Sequence, residues 1–221
     1  MRRLFILRPE PGASASAASA SALGLDAVTV PLFAVAPVAW DAPDPAGFDG
    51  VLLTSANALR HGGEGIERLR GLNAYAVGPA TAEAAQEAGF EIAAAGSADA
   101  AGLLGSIAPD LRLLHLCGAD RRGVEDAAQA ITPVVVYRAD AIDAPPLGGL
   151  AGQVAAVHSP RAAARLAELV EQRSSIRIAA ISAAAAAAAG TGWERVETAA
   201  APNDAALLAL ALRLCDKSGQ Q

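Results

Sequence analysis

Ala76-Val77-Gly78-Pro79-Ala80-Thr81 leads into Gly89-Phe90-Glu91 and then Ser97-Ala98-Asp99-Ala100-Ala101. Ala180-Ile181-Ser182-Ala183 echoes it, leading into Gly192-Trp193-Glu194 and then Pro202-Asn203-Asp204-Ala205-Ala206. The echo falls about 104 residues downstream, as a duplicated supersecondary unit would. Each copy reads as a short apolar strand, a corner of small residues, a helix, and a Gly-aromatic-Glu step into the next strand. At the same offset His158-Ser159-Pro160-Arg161-Ala162 answers Thr54-Ser55-Ala56-Asn57-Ala58, and more loosely Arg112-Leu113-Leu114-His115-Leu116 answers Arg3-Leu4-Phe5-Ile6-Leu7. Alanine-rich sequence aligns with itself by chance, but here the landmarks recur in order.

Working outward, apolar runs recur at Leu4 to Leu7, Val51 to Leu53, Ala74 to Val77, Leu113 to Leu116, Val154 to Val157 and Ile178 to Ile181. Such runs suit strands buried on both faces of a parallel sheet. Between them lie helix-forming stretches such as Thr81 to Ala88, Arg161 to Glu171 and Asp204 to Leu214. Strand alternating with helix predicts an α/β fold with right-handed crossovers. Two stretches break the rhythm: Ala36 to Gly47, with Pro37, Pro43 and Pro45, and Ala141 to Gly149, with Pro145 and Pro146. Proline and glycine at that density stop helices and central strands. About 100 residues lie between, room for one small α/β domain.

Composition narrows the function. Seventeen Lys and Arg against twenty-three Asp and Glu leave a net charge of −6 over 221 residues, so no broad basic face invites nucleic acid or an anionic membrane. The alanine tract, Ala183 to Ala189, is far below the ~20 residues that cross a bilayer. The basic start, Met1-Arg2-Arg3, precedes an apolar run that Arg8-Pro9 cuts off short of a signal-peptide core. Cys117 and Cys215 form no disulfide framework and no metal spacing, and a reducing cytoplasm is the expected setting. Neither a cofactor motif nor a metal-ligand set is found, and none is expected.

Chemistry is concentrated at the strand-to-helix corners: Thr54-Ser55-Ala56-Asn57, Gly78-Pro79-Ala80-Thr81, Gly118-Ala119-Asp120-Arg121-Arg122, His158-Ser159-Pro160-Arg161 and Ser182-Ala183-Ala184. In a parallel sheet these open on one edge, beyond the carboxyl ends of the strands. Free N–H groups and the helix dipole make such corners receptors for carboxylate or phosphate. Helix capping is the plainer reading of each hydroxyl. Tyr137, in Val134-Val135-Val136-Tyr137-Arg138, ends a strand where the chain recrosses between domains, and serves either packing or a cleft. Arg8 holds a ligand carboxylate or caps a sheet edge, Arg121 and Arg122 form an anion clamp or a surface pair, and His61, His115 and His158 lack spaced partners.

Taken in order, Leu7-Arg8-Pro9-Glu10-Pro11-Gly12, Val51 to Ala58, Ala76 to Ala82, Leu116-Cys117-Gly118, Val136-Tyr137-Arg138 and His158-Ser159-Pro160 resemble the uroporphyrinogen-III synthase family. The resemblance implies two flavodoxin-like domains, each a three-layer α/β/α parallel sheet, joined by a two-strand hinge. Residues 1–36 with 138–221 would form one domain, residues 37–137 the inserted one, with the active-site cleft between them. It further implies conversion of hydroxymethylbilane to uroporphyrinogen III, with loss of water, inversion of the last ring and closure through a spiro intermediate. By correspondence Tyr137 assists departure of the hydroxyl, and Arg8, Ser55, Asn57, Gly78, Thr81, Ser159 and Ser182 hold acetate and propionate groups. A cytoplasmic monomer with this one small-molecule substrate is expected. Two departures stand out: Leu7 replaces a common threonine, and Ser182-Ala183-Ala184-Ala185 offers no hydroxyl where Thr81 would be echoed. They keep a second reading open, a non-catalytic two-domain clamp for a tetrapyrrole or another polycarboxylate.

Overall fold

A computed structural model describes residues 1–96, 100–120, 124 and 126–216. The expectations placed on Ser97 to Asp99 and on Arg121 and Arg122 lie outside the described residues. In chain order the elements are β1 (Leu4–Ile6), α1 (Gly12–Ala22), β2 (Ala27–Thr29), β3 (Phe33–Pro37), β4 (Gly50–Leu53), α2 (Asn57–His61), β5 (Asn73–Val77), α3 (Pro79–Glu87) and β6 (Ile92–Gly96). Then follow α4 (Ala100–Gly105), β7 (Arg112–Gly118), β8 (Ala130–Ala141), β9 (Val154–Val157), α5 (Pro160–Leu169), β10 (Arg177–Ala180), α6 (Ala183–Ala189), β11 (Arg195–Thr198) and α7 (Asp204–Cys215).

The chain divides into two compact units, Met1–Ala34 with Ala141–Gln221, and Val35–Asp140. In the first, five parallel strands lie in the order β11-β10-β9-β1-β2. Counted along the chain this is 2-1-3-4-5, the flavodoxin arrangement. In the second, β6-β5-β4-β7-β8 repeats that order with different chain connectivity, and β3 is added beside β8. The echo seen in sequence is therefore structural: β4 and β9 open at Gly50 and Val154, and β5 and β10 at Asn73 and Arg177, each pair at the same 104-residue offset. β7 and β8 stand where β1 and β2 stand in the other sheet.

Each sheet is covered on both faces. Leu4, Ile6, Val154, Ala156 and Ala179 pack against α1 and α7 through Ala13, Ala20, Leu207, Leu210 and Leu214. Helices α5 and α6 pack on each other and on β9 and β10 but contribute nothing to that cluster, so they cover the opposite face. In the second unit Val51, Leu53, Leu114 and Leu116 face α2, α3 and the 3-10 turn at Gly63–Leu69. Leu52 and Leu113 point the other way, onto Leu103 and Leu104 of α4. Alternate residues of one strand thus serve two cores, and β4, β7, β9 and β10 are mostly apolar for that reason, with His115 and Arg177 the buried polar exceptions.

The strand holding Tyr137 differs from the sequence expectation. It does not end there but runs on to Ala141, and residues 136 to 142 lie beside β3, with Ile142 N–H bonded to Leu32 O at 3.0 Å and Val38 N–H to Val136 O at 3.0 Å. The register against β7 also slips: Cys117 faces Val135, but Gly118 faces Tyr137, leaving Val136 as an extra residue. A bulge of this kind re-aims the side chain that follows it.

Candidate functional site

In an open α/β sheet the strand order reverses at one point, and the two corners flanking it spread apart to leave a crevice at the carboxyl edge. In the second unit that point lies between β4 and β7, so the corners after Leu53 and after Gly118 flank it. Ser55 Oγ accepts the Asn57 N–H at 3.2 Å, which folds the corner into the first turn of α2. Thr54 Oγ1 and Nε2 of the buried His115 share a 3.0 Å hydrogen bond that ties this corner to β7.

Tyr137 joins them. Its ring lies on Gly118, where any Cβ would sit 2.7 Å from Cε2 and Cζ and 3.0 Å from Oη. The Ser55 side chain acts on its phenol, lowering its pKa, and the His61 ring is 6.4 Å away, tilted by 37°. Burial raises the Tyr137 pKa above the usual 10.0, outweighing the hydrogen bond from Ser55, which lowers it. The phenol is therefore protonated throughout the neutral range and is equipped to donate a proton. His61 is pushed down, by burial first and then by the charge of Arg60, and is neutral there.

The neighbouring corner, after β5, is built on Gly78 at φ +85°, a conformation that L side chains rarely adopt. A Cβ there would meet nothing within 4 Å, so this backbone faces open space. Thr81 is 6% exposed and its N–H bonds Gly78 O at 3.2 Å, so the corner offers backbone outward and turns the threonine inward.

In the first unit the strand order reverses between β1 and β9, and the flanking corners carry Arg8 and His158-Ser159. Ser159 Oγ caps α5 by accepting Ala162 N–H at 3.1 Å, and Ser182 Oγ caps α6 by accepting Ala185 N–H at 3.2 Å. Both hydroxyls thus do the capping that sequence allowed for. The amides of Ala183 and Ala184 are left without a partner among the described residues.

Beside these caps lies a polar network that the sequence did not announce. Asp204 Oδ1 accepts from Ser16 Oγ at 2.8 Å and from His158 Nε2 at 2.8 Å, and lies 3.6 Å from Arg8 Nη1. Arg8 Nη1 also donates to Ser16 Oγ at 3.3 Å. Burial dominates at His158 and lowers its pKa despite the bond to Asp204, so the ring is neutral and donates from Nε2. For Asp204 burial pushes upward, but bonds from His158 and Ser16 together with the Arg8 charge prevail, and the carboxylate stays ionised.

The structure thus brings Ser55, Asn57 and Tyr137 together, sets Gly78 and Thr81 at the next corner of the same sheet, and places Arg8 and Ser159 at the corresponding point of the other, with Ser182 one corner away. Sequence reading missed Ser16, Asp204, Gly118 as the seat of the tyrosine, and the Thr54–His115 tie. The repeated Asp-Ala-Ala segment was the one local sign of Asp204.

The family model described as uroporphyrinogen-III synthase HemD matches residues 14–209. No curated protein matches the chain by sequence. Among solved structures, a uroporphyrinogen-III synthetase from Helicobacter pylori superposes with a TM-score of 0.70 at 18% identity, covering 97% of this chain and 100% of that one. A mutant uroporphyrinogen III synthase from Thermus thermophilus gives a TM-score of 0.58 at 19% identity, covering 96% and 99%. At such identities the two structures speak for the fold.

Proposed function

The chain belongs to the uroporphyrinogen-III synthase family, and from that premise we propose how its residues share the work. The family's reaction is the cyclisation of hydroxymethylbilane to uroporphyrinogen III. The pyrroles supply the reactivity, since the ring nitrogen's electron pair can expel the terminal hydroxyl. The protein must hand that hydroxyl a proton, hold the chain bent so that the spiro closure outruns direct closure, and keep water away.

Tyr137 is the proton donor in this reading. Its Oη–H passes to the departing hydroxyl, which leaves as water, while the pyrrole, keeping its N–H, becomes an azafulvenium cation that balances the phenolate. The phenolate left behind is held by the Ser55 hydroxyl and regains a proton when the last ring rearomatises. The observation that carries the assignment is the phenol seated on Gly118 at the strand-order reversal and kept protonated by burial. Ser55, Asn57, Gly78 and Thr81 in one unit and Arg8, Ser159 and Ser182 in the other, with neighbouring amides, are each suited to take acetate and propionate groups. The open backbone at Gly78 and the unpartnered amides of Ala183 and Ala184 support that part. No helix among the described residues is long and apolar enough to cross a membrane. We place the enzyme in the cytoplasm as a monomer, a setting that suits two buried cysteines, Cys117 and Cys215, outside any disulfide.

The test is turnover of freshly prepared hydroxymethylbilane, with the porphyrin isomers resolved after oxidation. The wild type yields the type III isomer, and Tyr137→Phe lowers kcat by about 100-fold or more with KM little changed, the size of a general-acid contribution. Type I isomer alone from the wild type overturns the activity, and an unaltered kcat in the phenylalanine variant removes Tyr137 from the mechanism.

A further inference from the structure

We infer that Gly12 is a positioning residue for substrate binding: by lacking a side chain it lets the Arg8 guanidinium lie across the first turn of α1, where it receives a carboxylate of the bilane. The inference rests on the proposed function and adds a residue to it.

An ideal Cβ built on Gly12 falls 2.5 Å from Arg8 Nε, 2.7 Å from Cζ and 2.8 Å from Nη2. Three nearly equal distances put that point over the face of the planar group rather than at its edge, so the arginine lies flat on the glycine. Its contacts run through Nη1, to Ser16 Oγ and Asp204 Oδ1. The donors on Nε and Nη2 have no partner among the described residues, and the side chain is 36% exposed. Asp204 is itself fixed by Ser16 and His158, so the anchoring oxygen is held from α1, from the corner after β9 and from the start of α7. All of this sits where the strand order of the first sheet reverses, the place where such folds bind ligands. A planar guanidinium with free donors at a crevice is suited to paired hydrogen bonding of a carboxylate.

Nothing in the backbone asks for glycine at this position. Gly12 is absent from the glycines with positive φ, and it is the one glycine in an eleven-residue helix otherwise made of alanine and serine. Alanine is the better helix former, so glycine here works against helix propensity. The room it leaves is filled by the arginine.

The experiment compares Arg8→Ala, Gly12→Ala and the double variant of the full chain, measuring KM and kcat for hydroxymethylbilane, the thermal midpoint, and Kd for uroporphyrin III by tryptophan quenching. Arg8→Ala is expected to raise KM and Kd about tenfold, as loss of hydrogen bonds to a charged group does. Gly12→Ala does the same with kcat within about twofold and a thermal midpoint at or above the wild type, as helix propensity dictates. The double variant is no worse than Arg8→Ala. Wild-type KM and Kd in Gly12→Ala, effects that multiply in the double variant, or an Arg8→Ala variant that binds normally would each overturn the inference. A wild type that forms no type III isomer would refute the activity, and the uroporphyrin titrations would still decide on Arg8 and Gly12.

Discussion

Gly118→Ala tests the mechanism without touching any group assigned to chemistry. The added methyl would lie 2.7 Å from two ring carbons of Tyr137, whereas carbon atoms settle at about 3.5–4.0 Å, so the ring must retreat by roughly 1 Å. Relief through β7 is resisted because Leu114, Leu116 and Cys117 are buried. Overpacking of this kind costs about 1–3 kcal/mol. For a unit of about 100 residues each kcal/mol lowers the melting point by roughly 4–8 °C, so the folded enzyme survives at 25 °C. A displacement of about 1 Å in a reacting group costs on the order of 100-fold in rate. The expected result is a kcat about 100-fold lower, KM within about threefold, and a rising share of type I isomer as uncatalysed closure overtakes the enzyme. Porphyrin isomers resolved at timed intervals read both rate and ratio. A folded Gly118→Ala enzyme with wild-type kcat would refute the claim that this glycine seats the tyrosine for catalysis.

Three further outcomes follow from the same geometry. Ser55→Ala removes the hydroxyl that lowers the phenol's pKa, and kcat/KM falls about tenfold; a wild-type value would show that this hydroxyl has no part in proton transfer. Gly78→Ala forces an L side chain to φ +85° at a cost of about 1–3 kcal/mol, and an undiminished thermal midpoint would count against the described turn. His158 and His61 have pKa values held below 6.5 in the folded protein, whereas the unfolded chain protonates both near that value. The unfolded state therefore binds more protons as the pH falls below about 6.5, and stability declines in that direction. Melting points recorded from about pH 7.5 to 5.5 should fall, less steeply in His158→Gln; equal slopes would mean that His158 titrates alike in both states.

The parts of the fold legible in sequence were those where one physical demand acts alone. Strands β4, β7, β9 and β10 are buried on both faces, and the demand shows as a mostly apolar run, interrupted by His115 in β7 and preceded by Arg177 in β10. Strands β2 and β11 are only partly buried and carry no such run, and β6 is a small-residue run, Ile92-Ala93-Ala94-Ala95-Gly96, that looks no different from its alanine-rich surroundings. Helix α1 buries Ala13, Ser16 and Ala20 among residues equally small, so no apolar stripe marks it. The corners were visible because small and capping residues follow each run, but which corners flank a crevice depends on strand order, and that is a property of the whole sheet. Asp204 meets residues 188 and 46 positions away, and no local spacing encodes such a meeting. The direction of Tyr137 hangs on a bulge at Val136 that three consecutive valines do not reveal.

The exchanged strand order has a bearing on synthesis. The sheet of the second unit is built from one uninterrupted segment and can close once β8 has left the ribosome. Strand β1 can pair with β2 early but must wait for β9, more than a hundred residues later, before it gains a neighbour on its other side, while β2 stays at the sheet edge. The nascent protein therefore carries that two-stranded piece through most of translation, apart from the rest of its sheet. A released fragment ending just before residue 154 would display a finished half and an amino-terminal arm open to proteases.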